Sequence, residues 1–119
     1  MDNSIENPTD FFAELGGLHD ADIGRITWNA EARSIEIEID DLSANFDGLP
    51  GYSDKRPVVL KFNGLEELEL RCDGLSADTQ RIYRLEVRNN PDSRQASALI
   101  LILPSGRLSF EFANIAVRG

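Results

Sequence analysis

The single histidine of the chain, His19, stands beside two aspartates, Asp20 and Asp22. An imidazole next to carboxylates can act as a general base, ligate a metal, or hold a loop together by hydrogen bonds to main-chain carbonyls. A metal site is disfavoured, because no second histidine or cysteine stands at ligand spacing. We therefore predict that His19, Asp20 and Asp22 form a structural loop that needs no metal and no cofactor. A weak site for a hard cation remains an alternative, with ligands drawn from Asp20, Asp22, Asp40, Asp41 and Asp47.

Other patterns that would indicate an enzyme do not occur in the sequence. It has no Gly-x-Ser-x-Gly elbow and no glycine-rich phosphate loop. Ser105 stands in a predicted hairpin turn, which is an ordinary place for serine. The single cysteine, Cys72, falls on the inward phase of a predicted strand, so we expect a buried, inert thiol. The sequence predicts no catalytic residues and a protein that is not an enzyme.

Acidic residues are concentrated in the first half of the chain. Residues 1–54 carry 13 Asp or Glu against 2 Arg, a charge of −11, and residues 55–119 carry 8 acids against 10 bases, a charge of +2, which together give the net −9. Such an imbalance creates a negative field that attracts cationic surfaces and repels phosphate. We therefore expect a basic protein partner, and we expect neither nucleic acid nor a membrane to bind.

A row of acidic side chains is predicted on one strand face. Glu36, Glu38 and Asp40 stand at alternate positions, Asp41 follows, and no basic residue occurs between Glu36 and Asp54. Later strands place arginines beside their outward acids, so this row is unusual within the chain. Unbalanced charge favours a docking face for a partner. The alternative is a solvated outer face that keeps the strand from aggregating.

The loop after this strand carries apolar residues that an interface needs. Phe46, Leu49 and Tyr52 are able to anchor a partner or to pack the loop against the core. With the acidic row they define the predicted partner-binding surface. Its residues are Glu36, Glu38, Asp40, Asp41, Phe46, Asp47, Tyr52 and Asp54.

Length and composition indicate a single soluble domain. A chain of 119 residues with 41% hydrophobic and 28% charged residues can bury a core without a disulfide or metal. The lone cysteine favours a reducing compartment, the first residues lack the character of a signal peptide, and the longest apolar run, 98–104, is too short to cross a bilayer. We expect a cytoplasmic domain over residues 1–119, with 1–6 flexible.

A short helix is predicted near the start of the chain. Asn7 can cap it, Pro8 suits the first helical position, and Gly16-Gly17 ends it. Phe11, Phe12 and Leu15 lie on one face by their spacing, so the helix should dock on the core.

Seven strands follow from two-residue periodicity. Residues 33–41 alternate isoleucines with polar residues, which is typical of a half-buried antiparallel strand. A short loop before it makes 23–29 its predicted hairpin partner. The predicted strands are 23–29, 33–41, 57–62, 66–72, 81–89, 98–103 and the segment containing Leu108, Phe110 and Phe112.

A second hairpin is predicted between strands 57–62 and 66–72, because Asn63-Gly64 is a strong turn dipeptide. Strand 98–103 is apolar on both faces, so we expect it to be central and covered on each side. In strand 81–89 the inward phase is predicted to include Tyr83. The predicted common core also contains Ile35, Ile37, Ile39, Leu60, Phe62, Leu68, Leu70, Leu85, Val87, Ile100 and Phe110, with Glu36, Glu38, Glu69 and Glu86 outside.

These elements predict an all-β fold, a mostly antiparallel sandwich or partly open barrel of about seven strands, with one short N-terminal helix over an open end. Two function classes fit it. One is a protein-binding domain that uses the acidic surface, and the other is a small-molecule or carbohydrate-binding module with a cavity at the end of the sandwich.

Four features lie within residues 18–72: Leu18-His19-Asp20-Ala21, Trp28 in the first strand, the alternating second strand, and the Val58-Leu60-Phe62 to Leu68-Leu70 hairpin. Together they resemble small bacterial immunity proteins of polymorphic toxin systems, including the immunity protein 50 type, or uncharacterised relatives of these. The resemblance implies a non-enzymatic β-rich domain that binds and blocks a toxin, such as a basic nuclease.

Overall fold

A computed structural model describes residues 2–46, 48–50, 55–72, 80–89, 95–103 and 106–119, with only the main chain of residues 2, 3, 72 and 80. These residues form nine strands and one α-helix, and every paired strand is antiparallel. The predicted all-β fold class with one short helix is confirmed. The strands are β1 (Asp2–Ser4), β2 (Asp22–Asn29), β3 (Ser34–Ile39), β4 (Val58–Asn63), β5 (Glu66–Cys72), β6 (Gln80–Asn89), β7 (Ala96–Leu103), β8 (Gly106–Phe112) and β9 (Asn114–Arg118).

The strands form one open sheet in the order β1-β9-β4-β3-β2-β6-β7-β8-β5. Its two parts are joined where β2 meets β6, a contact of only two residue pairs, Asp22 with Arg81 and Ile23 with Gln80. Across the core, the ring of Phe62 on β4 lies 4.8 Å from that of Phe110 and 5.0 Å from that of Phe112, both on β8. The two parts of the sheet therefore pack face to face.

The helix α1 spans Pro8–Glu14 and begins as predicted. The Asn7 side chain accepts a hydrogen bond from the main-chain nitrogen of Asp10 at 3.2 Å, which satisfies one of the free amides of the first turn. Phe12 is buried and its ring stacks on that of Phe62, with centroids 6.4 Å apart. A helix of two turns is stable only through such packing. A 3-10 helix, Gly16–Leu18, follows α1 and precedes the loop that leads into β2.

The isoleucines of β3 point into the core, as their alternation predicts. Ile35, Ile37 and Ile39 are buried and lie opposite Phe62, Leu60 and Val58 on β4. The far edge of β4 is covered by β9, and β9 is covered by β1. Neither β1 nor β9 is predicted by the sequence patterns, and β1 lies within residues 1–6, which we expected to be flexible.

The predicted hairpin between residues 57–62 and 66–72 is wrong. Both segments are strands, but β4 pairs with β3 and β9, whereas β5 pairs with β8. Gly64 has a φ of 71°, so the Asn63-Gly64 turn is present. A turn dipeptide predicts that the chain changes direction, but it does not predict which strands pair. After this turn the chain continues into β5, which lies in the other part of the sheet.

Three predicted core positions differ in the structure. Tyr83 is 50% exposed, because a bulge between Ile82 and Arg84 shifts the alternation of β6 by one residue and buries Ile82 instead. Leu70 is 50% exposed and Leu68 half-buried, because β5 is the last strand in the sheet order and β8 is its only partner among the described strands.

Strand β7 is central, as predicted, but its outer face is only partly buried. Ala98, Ile100 and Ile102 are buried in the core, whereas Leu99 and Leu101 on the outer face are half-buried. No described helix lies over this face. A run of apolar residues in a strand therefore does not require a second covering layer here.

No helix in the described part of the chain is long and apolar enough to cross a membrane.

Candidate functional site

The acidic row on β3 is balanced by cations from neighbouring parts of the fold. Glu36 Oε1 accepts a hydrogen bond from Arg118 Nη2 at 3.4 Å, and Glu38 lies 3.7 Å from Arg25 Nε. Asp40, just beyond β3, lies 3.5 Å from Lys55 Nζ. The acidic row therefore has basic side chains beside it in the fold, although none stands between Glu36 and Asp54 in the sequence. Antiparallel neighbours bring arginines from β2 and β9 beside the row.

Asp41 does not belong to an exposed docking surface. It is only 3% exposed, and its Oδ1 accepts the main-chain N–H groups of Ser43 at 3.0 Å and Arg56 at 3.1 Å. A buried carboxylate needs such donors. Asp41 therefore holds the loop after β3 in place, and its predicted role in partner contact is corrected.

The loop that follows is only partly described. Phe46 is half-buried in a 3-10 helix, Ala44–Phe46. The predicted binding residues Asp47, Tyr52 and Asp54 lie outside the described residues.

The predicted structural loop makes hydrogen bonds to β6. His19 Nδ1 lies 2.7 Å from the main-chain carbonyl oxygen of Tyr83, so in this arrangement the Nδ1–H donates to it. The Asp20 amide donates to the Ile82 carbonyl at 2.9 Å, and the Ile82 amide donates to the Ala21 carbonyl at 2.7 Å. These contacts connect residues 19–21 to a strand more than sixty positions later in the chain. They are the contacts that a structural loop needs, and its role stays a prediction.

The two predicted sets of residues, loop and acidic row, meet at one end of the sheet. The Asp22 amide donates to Asp40 Oδ1 at 2.7 Å, and Arg81 Nε donates to Asp22 Oδ1 at 3.1 Å. That hydrogen bond, together with the charge of the Asp22 carboxylate, raises the pKa of the Arg81 guanidinium, which stays protonated. His19 contacts β6 beside this end and does not line it.

A surface depression of about 320 Å³ lies at this end. Four aspartates line it against one lysine and one arginine, which leaves a formal charge of −2. Within the described ranges, no group of three or more His, Cys, Asp or Glu side chains is arranged to hold a metal ion. The sequence patterns did not identify the two cations, because their partners are distant in the chain. The lining residues are Asp20, Asp22, Asp40, Asp41, Ala44, Asn45, Lys55 and Arg81.

A second surface feature is an apolar groove of about 400 Å³ that the sequence patterns did not identify. Trp28 on β2 is 61% exposed there, and Leu70 on β5 faces it from the other side. Both side chains occupy the inward phase of their strands, so their sequence pattern is that of core residues. The groove is lined by Ile26, Trp28, Ile35, Leu68, Leu70 and Leu108.

Comparisons with known proteins show the fold and no more. No family model matches the chain, and no curated protein matches it. An uncharacterized protein from Neisseria gonorrhoeae has a similar crystal structure, with a TM-score of 0.55 and 9% sequence identity over 100% of this chain and 98% of that one. At this identity the similarity extends to the whole architecture but carries no information about activity.

Proposed function

We propose that this chain is a non-enzymatic protein-binding domain that binds a basic protein. The binding surface is the acidic end, defined as Asp20, Asp22, Asp40 and the depression between them. The observation that carries the proposal is this convergence: the carboxylates of Asp20, Asp22 and Asp40, from the loop before β2, the start of β2 and the end of β3, line one depression above the buried Asp41 and beside one lysine and one arginine.

The acidic end continues along the outer face of β3. Glu36 and Glu38 follow from Asp40 at alternate positions, and the side chains of Glu38 and Asp20 are 47% and 53% exposed. The ion pairs of Glu36 with Arg118 and of Glu38 with Arg25 are surface pairs. Such pairs contribute little stability and can exchange partners. A cationic partner would therefore compete for these carboxylates at small cost.

A net charge of −9 acts over longer distances than these contacts. Complementary charge steers a basic partner toward the surface and raises its association rate, an effect that salt weakens because the Debye length is about 8 Å at physiological ionic strength. The same field opposes binding of nucleic acid.

A toxin is the partner class that fits best with the resemblance of residues 18–72 to immunity proteins. Enzymes that act on nucleic acid present cationic residues to phosphate, and an acidic surface can cover such residues. In this proposal the chain acts in the bacterial cytoplasm, which agrees with its single cysteine, and blocks the toxin by occupying its active site.

The test begins with co-purification from the native host at low and moderate salt, followed by identification of the retained protein. Association rates are then measured for the wild type and for the triple variant Asp20→Asn, Glu36→Gln, Glu38→Gln. Asp20 has a φ of 72°, a conformation that asparagine tolerates, so its replacement should not strain the loop. We expect association about tenfold slower and a flatter salt dependence.

The matched control is Glu31→Gln, Glu67→Gln, Glu69→Gln, which removes the same charge from the β2–β3 turn and from β5. It should change the association rate much less. A partner that binds the two triple variants equally fast would contradict a specific role for the acidic end. A captured nuclease whose activity is unchanged by an equimolar amount of the wild-type chain would contradict the immunity function.

A further inference from the structure

The outer face of β6, β7 and β8 carries a surface depression of about 370 Å³. This volume lies within the range of about 300–1,000 Å³ that is usual for small-molecule sites. Every residue that lines the depression belongs to β5, β6, β7 or β8, so it is built on the regular part of the sheet and not on a loop. Its polar lining consists of three glutamates, two arginines and two serines.

Antiparallel pairing brings these polar side chains together. Ser109 on β8 lies opposite Leu99 on β7, which in turn lies opposite Glu86 on β6. In the next row of the same face, Ser97 on β7 lies opposite Glu111 on β8. Partners in such rows have Cβ atoms about 4.5–5.5 Å apart. Two hydroxyl groups and two carboxylates therefore surround the half-buried side chain of Leu99.

A pair of arginines lies at one end of the depression. Arg107 lines it and lies directly opposite Arg71 on β5, and both residues are exposed. Like charges at opposed positions destabilise a sheet. In the described part of the chain neither arginine forms an ion pair that would offset this repulsion, whereas Arg84 and Arg88 both lie beside Glu86. An unbalanced arginine pair on a face rich in glutamate favours a role in binding an anion.

We propose that the depression binds a phosphate monoester that carries several hydroxyl groups, the class to which sugar and polyol phosphates belong. A phosphate monoester has a charge of about −1.5 to −2 at pH 7 and three strong acceptor oxygens. Guanidinium groups match these oxygens with paired hydrogen bonds. Arg71 and Arg107 supply two such groups from neighbouring strands, so the pair suits a dianion better than a single carboxylate.

The rest of the depression suits the hydroxylated part of such a ligand. Glu86 and Glu111 can accept hydrogen bonds from hydroxyl groups, and the serine hydroxyls can donate as well as accept. Leu99 offers an apolar contact to the C–H groups of the carbon chain or ring. The carboxylates would repel a ligand that is anionic along its whole length, such as nucleic acid. They favour instead a ligand whose charge lies at one end, beside the arginine pair.

This site is separate from the acidic end, and the inference does not rest on the proposed function. None of the residues that carry it lines the acidic depression. The triple charge variant described above should therefore bind such a phosphate ester as the wild type does. Failure of one proposal is thus distinguishable from failure of the other.

The test is a titration of the nitrogen-15-labelled protein with glycerol 3-phosphate, ribose 5-phosphate and glucose 6-phosphate, followed through the amide NMR signals. We expect at least one of these esters to shift the signals of Ser97, Leu99 and Ser109. Its affinity should be at least about tenfold higher than that of inorganic phosphate or of its unphosphorylated counterpart, because both ends of the ligand make contacts. Gluconate, which is hydroxylated but singly charged, should bind at least about tenfold more weakly than the ester.

Substitutions separate the two ends of the site. Arg107→Gln should weaken binding of the ester and of inorganic phosphate about tenfold. The matched control is Lys61→Gln, which removes the same charge from the outer face of β4 and should leave both affinities unchanged. Ser109→Ala should weaken binding of the ester and leave that of inorganic phosphate unchanged.

A stability measurement separates a binding role of Arg107 from a structural one. Because Arg107 opposes Arg71, Arg107→Gln should not lower the unfolding midpoint in urea although it weakens binding. Three results would overturn the proposal: no shift of the three amide signals with any of the esters, gluconate bound as tightly as the best ester, or equal affinity of Arg107→Gln and Lys61→Gln for that ester. A loss of ester binding in Arg107→Gln that is matched by a loss of stability would also contradict it.

Discussion

Asp22 and Asp40 are joined by two hydrogen bonds, one in each direction. The Asp22 amide donates to Asp40 Oδ1 at 2.7 Å, and the Asp40 amide donates to the Asp22 carbonyl at 3.0 Å. Asp22 also accepts a hydrogen bond from Arg81 on β6. This pair therefore closes the β2–β3 ladder at the point where the two parts of the sheet are joined.

Replacing Asp40 tests the importance of this contact. Asp40→Ala should lower the free energy of unfolding by about 1–3 kcal/mol, because the partly buried Asp22 amide loses its acceptor, whereas Asp40→Asn keeps an acceptor and should cost less. Urea denaturation measures both. Glu38→Ala, which removes a carboxylate from the neighbouring outer face, is the control and should cost less than Asp40→Ala. Equal losses in Asp40→Ala and Asp40→Asn would contradict the role of the acceptor.

The distinction between the core and the apolar groove can be tested with two truncations. Ile37 is fully buried, so Ile37→Ala should cost about 2–5 kcal/mol. Leu70 is half exposed, so Leu70→Ala should cost less than about 1.5 kcal/mol. Unfolding midpoints in urea provide the comparison. A loss for Leu70→Ala as large as that for Ile37→Ala would contradict the exposed position of Leu70.

Gly17 is required by its backbone conformation. Its φ is 67°, and a Cβ there would lie 3.1 Å from the Leu85 carbonyl oxygen. Gly17→Ala should therefore cost at least about 1–2 kcal/mol, the usual cost of the left-handed region for a residue with a side chain. Gly24→Ala is the matched control, because its nearest contact would be an ordinary 3.8 Å. Thermal unfolding should separate the two variants, and similar midpoints would refute the requirement.

His19 should contribute to stability without contributing to partner binding. His19→Ala removes the hydrogen bond to the Tyr83 carbonyl and should cost about 0.5–1.5 kcal/mol. Tyr83→Leu keeps that main-chain carbonyl and removes only the ring contact, whose centroids are 5.6 Å apart, so it separates the two effects. Unfolding and partner binding are measured on both variants. Loss of binding with unchanged stability would restore the interpretation of His19 as an active-site residue.

Local patterns predicted local structure well in this chain. The Asn7 cap and the alternation of Ile35, Ile37 and Ile39 depend on neighbours within a few residues, and both are confirmed. The partner of β5 depends instead on which edge remains free once β9 has covered β4. The bulge at Tyr83 inserts one residue into the alternation, which composition does not reveal.

The candidate site was predictable only in part, for a related reason. Charge balance along the sequence differs from charge balance in a sheet, and Glu36 finds Arg118 across 82 positions. Asp41 has the same residue type and spacing as an exposed acid, but the fold directs it to buried amides. Trp28 and Leu70 have the pattern of core residues, and only the strand order shows that nothing described covers them.

The position of β9 has a consequence for how the protein folds. Asn63 on β4 pairs with Asn114 on β9, 51 positions later, so β4 keeps an unpaired edge until residues 114–118 have left the ribosome. Pairings between distant segments form slowly, because chain entropy is lost before contacts compensate for it. We expect refolding in roughly milliseconds to seconds, as for other sandwiches of non-local topology. During synthesis, β4 can therefore pair with β3 while its other edge still lacks β9.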